Sequence, residues 1–213
     1  MLRNKILTFL KNRYAPRGAY LSFAYSGEDI LIRRACEKFH LKNPTYLEIG
    51  THHPIFGNNT YLLYRSGSKG MLVEPNPQLF KTIEQKRPQD ISILGGVSDH
   101  DGTAEFYKFK RDTRSTFSKE QADAWTRQSG EIASTEEVKI FSLNTLTRDF
   151  TPDILCIDAE GLDYKILHAY NWHKKPKILC IEMDEGIEKL VSEKGYSLFA
   201  QTEANGIFIL CVE

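Results

Sequence analysis

The chain has 213 residues, 41% of them hydrophobic and 26% charged, which are the proportions of an ordinary soluble globular protein rather than a disordered one. Its 28 basic residues balance its 28 acidic ones, so no net field draws it to nucleic acid. No segment approaches the ~20 consecutive apolar residues that span a bilayer.

The N-terminal MLRNKILTFLKNRY is basic, with apolar residues at roughly helical spacing and an apolar run too short for a signal peptide. It predicts a helix that packs on the body or on a second subunit, as in a homodimer, so residues 1–40 read as a helical cap on a domain over 41–213. In AYLSFAYSGEDILIRRACEKF, Ser26 or Gly27 is placed to cap a helix. Glu28 and Asp29 complement its dipole, and Ile30, Leu31, Ala35 and Phe39 form its apolar face.

Short apolar strands and helices then alternate. Strand Tyr46 to Ile49 is followed by a helix from about Asn58 to Tyr64, strand Gly70 to Val73 by a helix from about Gln78 to Lys86, and Ile91 to Gly95 is a third strand. Such spacing implies a parallel sheet with right-handed crossovers. Gly102 to Phe109 and Glu137 to Phe141 alternate like edge strands. The polar stretch between them, about 110–135 with a short helix near Lys119 to Arg127, is a candidate lid.

Leu143 to Phe150 reads as a helix, Ile154 to Ile157 and Lys177 to Ile181 as buried strands, and Asp163 to Tyr170 and Glu185 to Lys194 as the helices after them. Asn205-Gly206 is placed to turn the strand Tyr196 to Gln201 into Ile207 to Val212. The fold class is therefore α/β: a doubly wound, mostly parallel seven-stranded sheet with a terminal antiparallel hairpin, as in class I methyltransferases.

Cys156, Cys180 and Cys211 lie in apolar runs, and neither they nor Cys36 make a CxxC pair. All four read as free, buried thiols of a reducing, cytoplasmic compartment. Tyr25, Trp125 and Trp172 read as packing residues rather than as platforms for a sugar.

In an open α/β sheet, ligands bind beyond the carboxyl ends of the strands. Here those ends carry Glu48, Gly50 and Thr51; Glu74 and Asn76; Val97 and Ser98; Asp158 and Glu160; Glu182 and Asp184. Glu74, directly after the second strand, is where a carboxylate accepts the two hydroxyls of an adenosine ribose, and Val97 and Ser98 would flank the base. The loop Gly50, Thr51, His52, His53, Pro54 lacks the GxGxxG phosphate cradle, so a cofactor without phosphates fits better.

The blocks YLEIGTHHP, GNNTYLLY, VEPNPQLF, GGVSDHDGTAEFY, STFSKE and IDAEGLDYKIL followed by KILCIEM, in that order, resemble the FkbM-type methyltransferase family over about Ser26 to Met183. The resemblance implies an S-adenosylmethionine-dependent O-methyltransferase acting on hydroxyls of sugars, glycans or related natural products, as in polysaccharide biosynthesis. It makes Glu48, Gly50 and Thr51 the methionine-side wall, Glu74 the ribose ligand with Asn76 beside it, and Val97 and Ser98 the adenine neighbours. The family's usual aspartate after the first strand is Glu48 here, and its usual small residue in the next loop is His52.

A sugar hydroxyl needs a base or a metal to lose its proton. Asp158, His52 and His53 are the candidate bases. Asp158, Glu182 and Asp184 offer hard oxygen ligands suited to magnesium or manganese. The alternatives are an NAD-type oxidoreductase on a similar sheet and a catalytically inactive nucleotide-binding module.

Overall fold

Residues that alternate along a strand face opposite sides of its sheet, so a strand covered on both sides must be apolar throughout. The strands β1 (Tyr46–Ile49), β7 (Ile154–Ile157) and β8 (Ile178–Glu182) meet this demand, being buried along their length except at Glu182. The computed structural model describes residues 20–110, 112–128 and 132–211. The helix expected over MLRNKILTFLKNRY lies outside the described residues.

With β2 (Gly70–Glu74), β3 (Ile91–Leu94), β9 (Tyr196–Gln201) and β10 (Asn205–Leu210), these strands form a seven-stranded sheet in the order β3-β2-β1-β7-β8-β10-β9. The first five are parallel to their neighbours, and β10 runs antiparallel to both β8 and β9. This is the doubly wound sheet and terminal hairpin expected from sequence.

Leu47, Ile49, Leu155, Ile157, Leu179 and Ile181 pack on one face against helices α5 (Leu143–Leu146), α6 (Asp163–Ala169) and α7 (Ile187–Glu193). Tyr46, Leu72, Ile154, Cys156, Ile178 and Cys180 pack on the other, against α1 (Glu28–Lys38), α2 (Tyr61–Arg65) and α3 (Pro77–Lys86).

Several local expectations are corrected. Gly102–Phe109 (β5) is an edge strand, but of a separate three-stranded sheet, and Ile132–Ser142 (β6), expected as another edge, is its centre, paired with β5 on one side and β4 (Gly96–Ser98) on the other. Asn205 and Gly206 are strand residues of β10, opposite Glu182 and Ile181 of β8, and the turn lies at 202–204, closed by Thr202 N donating to Asn205 O at 2.8 Å. The helix expected from Asn58 begins at Tyr61 because the Asn58 Oδ1 accepts from the amides of Thr60 and Tyr61.

The buried face of α1 runs through Ile32, Ala35 and Cys36, with Leu31 and Phe39 packed beside them as expected, and leaves out Ile30. Gly27 caps α1 with φ +87° and no side chain, and Glu28 and Asp29 are buried ligands of neighbouring loops as well as first-turn acids. All four cysteines are free, but Cys211 is exposed at the end of the last strand.

The segment from Pro54 to Thr60 is held by one side chain. Arg87, wholly buried just past α3, donates from Nη1 to Pro54 O at 3.2 Å and Asn58 Oδ1 at 3.1 Å, and from Nη2 to Thr60 Oγ1 and the Tyr46 hydroxyl, both at 2.9 Å. Its Nε pairs with Asp90 at 2.7 Å, and Asp90 also accepts from Tyr46 and the Gly70 amide. Removing one partner of such a group strands the rest without solvent. Arg87→Met is therefore expected to lower unfolding free energy by about 3–5 kcal/mol, read by urea denaturation; a loss below about 1 kcal/mol would contradict the network's role.

Candidate functional site

A cleft opens at the carboxyl ends of β1, β2 and β7, walled on its far side by the segment after β5. The chain leaves β1 through Gly50, whose φ of +74° favours glycine, and an added Cβ there would lie 1.9 Å from the Asp158 carbonyl oxygen. Gly50 thus lets the first loop lie directly on the end of β7; the close approach is between two parts of the chain. The amides of Gly50 and Thr51 both donate to Val73 O, at 3.1 and 3.2 Å.

His52, with φ +50°, gives its amide to Glu74 Oε2 at 2.8 Å, while the Asn76 amide donates to Glu74 Oε1 at 2.8 Å. Two backbone N–H groups therefore fix the Glu74 carboxylate at the cleft wall, which Asn76 and Val97 also line. Asn76 Oδ1 caps α3 by accepting from the Gln78 amide at 3.0 Å. Ser98 is buried outside the lining, its hydroxyl on Asp99.

Strand alternation puts Glu48 on the α1–α3 face, in register with Leu72 and Cys156. Its carboxylate accepts from Asn58 Nδ2 at 3.0 Å, the Asn59 amide at 3.2 Å and Thr60 Oγ1 at 2.9 Å. Burial raises its pKa, against the opposing pull of Arg87 and those donors. Glu48 reaches the cleft with its oxygens already engaged in loop contacts.

The two histidines part company. His52 lines the cleft; His53 does not. His53 Nδ1 accepts from the amides of Ile55 and Phe56, at 3.1 and 3.0 Å, which fixes it as an acceptor. Burial, with His52 and Lys86 adding to it, lowers its pKa, so the ring serves as a neutral turn cap.

The opposite end of the cleft is acidic. One oxygen from each of Asp158, Glu160 and Glu182 falls within 4.8 Å of the others. Asp184 is outside this group, exposed, with Oδ1 accepting from the Glu185 amide at 2.7 Å. Solvent reaches Asp158 from the cleft while protein crowds its other sides; desolvation, then Glu182, Glu48 and Glu28, push it up to about 7.

Glu160 rises to about 9 through burial and the charges of Asp158, Glu182 and Asp163. Asp163, behind them, rises to about 8 for the same reasons, led by burial. Glu160 also sits at φ +49°, and its carbonyl accepts from the buried Thr116 hydroxyl at 2.8 Å. A strained backbone held by a wall residue is the kind of conformation that gathers at working sites.

The wall itself comes from Thr113, Ser115, Thr116 and Phe117, whose ring fills the space a Cβ on Gly96 would need. Helix α4 (Lys119–Gln128), within the stretch expected to act as a lid, contributes nothing to the lining, and Trp125 packs edge-on against Phe109. Trp172 is buried in the core as expected, whereas Tyr25 is 78% exposed and lines the cleft. From sequence, Glu160 stood with Asp158 in the acidic cluster at its strand end but outside the expected metal ligands, Tyr25 read as a packing residue, and Thr116 had no signal beyond its place in the expected lid.

The methyltransferase FkbM domain model matches residues 48–199, and the chain belongs to that family. Among solved structures, methyltransferase FkbM from Methylobacillus flagellatus KT is 12% identical with a TM-score of 0.50; the match covers 97% of this chain and 59% of that one. A TehB-like SAM-dependent methyltransferase from Corynebacterium glutamicum is 11% identical at TM-score 0.43, covering 99% and 97% of the two chains. A methyltransferase from Pyrococcus furiosus is 14% identical at TM-score 0.41, covering 98% and 96%. No curated protein matches the chain in sequence.

Acids whose folded pKa lies above the ordinary carboxylate range hold protons that the unfolded chain has released, so they favour folding below that range and lose this contribution as pH rises through the folded value. With Asp158 near 7, Asp163 near 8 and Glu160 near 9, the melting temperature of the unliganded protein should fall between about pH 5 and pH 9. Glu160→Gln should flatten that slope. Equal slopes for the two proteins would remove Glu160 from the coupled group.

Proposed function

We propose that this family member is an S-adenosylmethionine-dependent O-methyltransferase acting on a hydroxyl of a sugar, glycan or related natural product, in a cytoplasmic biosynthetic route. One observation carries the reading: a single cleft joins an amide-oriented carboxylate at the last residue of β2 to an acid of near-neutral pKa just after β7. The residues fit the cofactor. Glu74, Val97, Phe117, Gly50 and Thr51 all line the one cleft, which supports a reading in which Glu74 takes the ribose hydroxyls, Val97 and Phe117 flank the base, and Gly50 and Thr51 wall the methionine side. The family match sets aside the oxidoreductase alternative.

When bound, S-adenosylmethionine supplies an electrophilic methyl group. The chain's own task is to present the acceptor oxygen and take its proton. Asp158, with a pKa of about 7, is ionised in part at neutral pH and strong enough as a base to help a hydroxyl. Glu160, near 9, keeps its proton at the same pH and can donate a hydrogen bond to another acceptor oxygen. Alignment within the walled cleft would supply most of the rate.

The test is transfer from labelled cofactor over a panel of nucleotide sugars, oligosaccharides and small alcohols. For the acceptor so found, the rate should rise through about pH 7, because the base works deprotonated. Asp158→Asn should lower turnover by about 10²- to 10⁴-fold while leaving S-adenosylhomocysteine affinity nearly unchanged. A panel on which the cofactor binds but no hydroxyl compound is labelled would refute the acceptor class.

The convergence of Asp158, Glu160 and Glu182 favours a second reading of that end, a hard divalent cation such as Mg²⁺ or Mn²⁺. Three oxygens suit such an ion, and water or the acceptor would complete its shell. On this reading Mn²⁺ raises the melting temperature of the chelator-treated protein, and Glu160→Gln abolishes the rise. No shift in the unsubstituted protein would leave the proton-transfer reading alone in place.

A further inference from the structure

Tyr25 is the most exposed large hydrophobic side chain among the described residues, and yet the loop beneath it is well anchored. The loop that carries it is tied at both ends. Asp29 accepts from the Ser22 hydroxyl and the Phe23 amide, each at 2.7 Å, and Glu28 accepts from the Ser26 amide at 2.9 Å. Phe23 O accepts from the Asn58 amide at 3.2 Å, and the Phe23 ring meets Tyr61 edge-on at 4.9 Å.

One side of the Tyr25 ring rests on Gly57, where an added Cβ would fall 2.4 Å from Cε2 and 2.9 Å from the hydroxyl oxygen. Gly57 and the Tyr25 ring line the cleft together, and a side chain at 57 would force the ring away. An aromatic group carried on a tied loop at a ligand cleft adds contact area at reduced entropic cost.

Position selects which part of the ligand it meets. The ring rests on Gly57, late in the loop that follows β1 and next to the Asn58–Asn59 stretch that holds the Glu48 carboxylate, whereas Glu74 takes the amide of His52 at the start of that loop. Resting on the cofactor assignment made above, we propose that Tyr25 is a cofactor-contact residue whose ring covers the methionine end of bound S-adenosylmethionine at the mouth of the cleft. The sulfonium, a cation without hydrogen-bond donors, is well matched to an aromatic face. The phenol hydroxyl, which makes no hydrogen bond among the described residues, is not required for this.

Binding of S-adenosylmethionine and S-adenosylhomocysteine, titrated calorimetrically on the full chain, tests this directly, and an exposed side chain can be replaced without endangering the fold. Tyr25→Ala should weaken both ligands, S-adenosylmethionine by about tenfold and the neutral product by less. Tyr25→Phe should stay within about twofold of the unsubstituted protein, since it keeps the ring. Glu74→Gln serves as the control, with thermal melting of every variant run in parallel. Loss of affinity in Glu74→Gln but not in Tyr25→Ala overturns the role of Tyr25 alone. No effect in either variant overturns the cofactor assignment and the role of Tyr25 with it.

Discussion

A guanidinium with no access to water sets the shape of the first loop. Arg87 reaches Pro54, Asn58 and Thr60 in the loop, Tyr46 in β1 and Asp90 before β3, and lies 4.6 Å from the centre of the Tyr64 ring. Its planar fork can satisfy that many acceptors at once, which a lysine could not. The same Asn58 and Thr60 that receive Arg87 hold Glu48, so a buried cation and a buried anion are joined through two polar side chains. Each compensates the other's desolvation, and the segment between them has little freedom left.

That rigidity leads to the cleft. Asn58 Nδ2 also donates to Thr51 O at 3.4 Å, and Gly50 presses against Asp158, so the first loop and the acid-bearing end of β7 are tied together. The far wall is fastened separately: Thr116 pairs with Tyr107 through both backbone groups, and its hydroxyl takes the Glu160 carbonyl. The three acids between these supports repel one another. A fold keeps such a group only if the surrounding structure over-determines it, and here Asp158 and Glu160 follow, and Glu182 ends, strands buried on both faces.

The sheet was legible because a strand covered on both sides leaves no polar option, as in ILCI and in KILCI. Glu74 was legible for a related reason, being an acid just past such a strand and before a proline. What escaped was whatever depends on pairing between distant segments. Arg87, in a polar KRPQD stretch, looks like a loop residue until Tyr46, Asn58 and Thr60 are brought to it. Asn205-Gly206 carries the signature of a tight turn, but β8 offers a partner to both residues, and ladder pairing outweighs the local preference. Tyr25 looks like any packing aromatic, and its place over Gly57 at the cleft depends on a contact between segments that sequence spacing does not show.

The loop that replaces a phosphate cradle also says why this cleft suits a ligand without phosphates. A diphosphate is gripped by backbone N–H groups that point into the site with no partner of their own. Here the amides of Gly50 and Thr51 are spent on Val73, that of His52 on Glu74, those of Ile55 and Phe56 on His53, and that of Asn59 on Glu48. His53 thus does for the loop what a bound anion does for a glycine-rich turn: it accepts two adjacent amides, but from within the chain. With its donors turned inward, the loop leaves that part of the cleft to a glycine surface at Gly50 and Gly57, the Glu74 carboxylate and the Tyr25 ring that rests on Gly57. That surface complements hydroxyls, an ammonium and a sulfonium better than it would any anion.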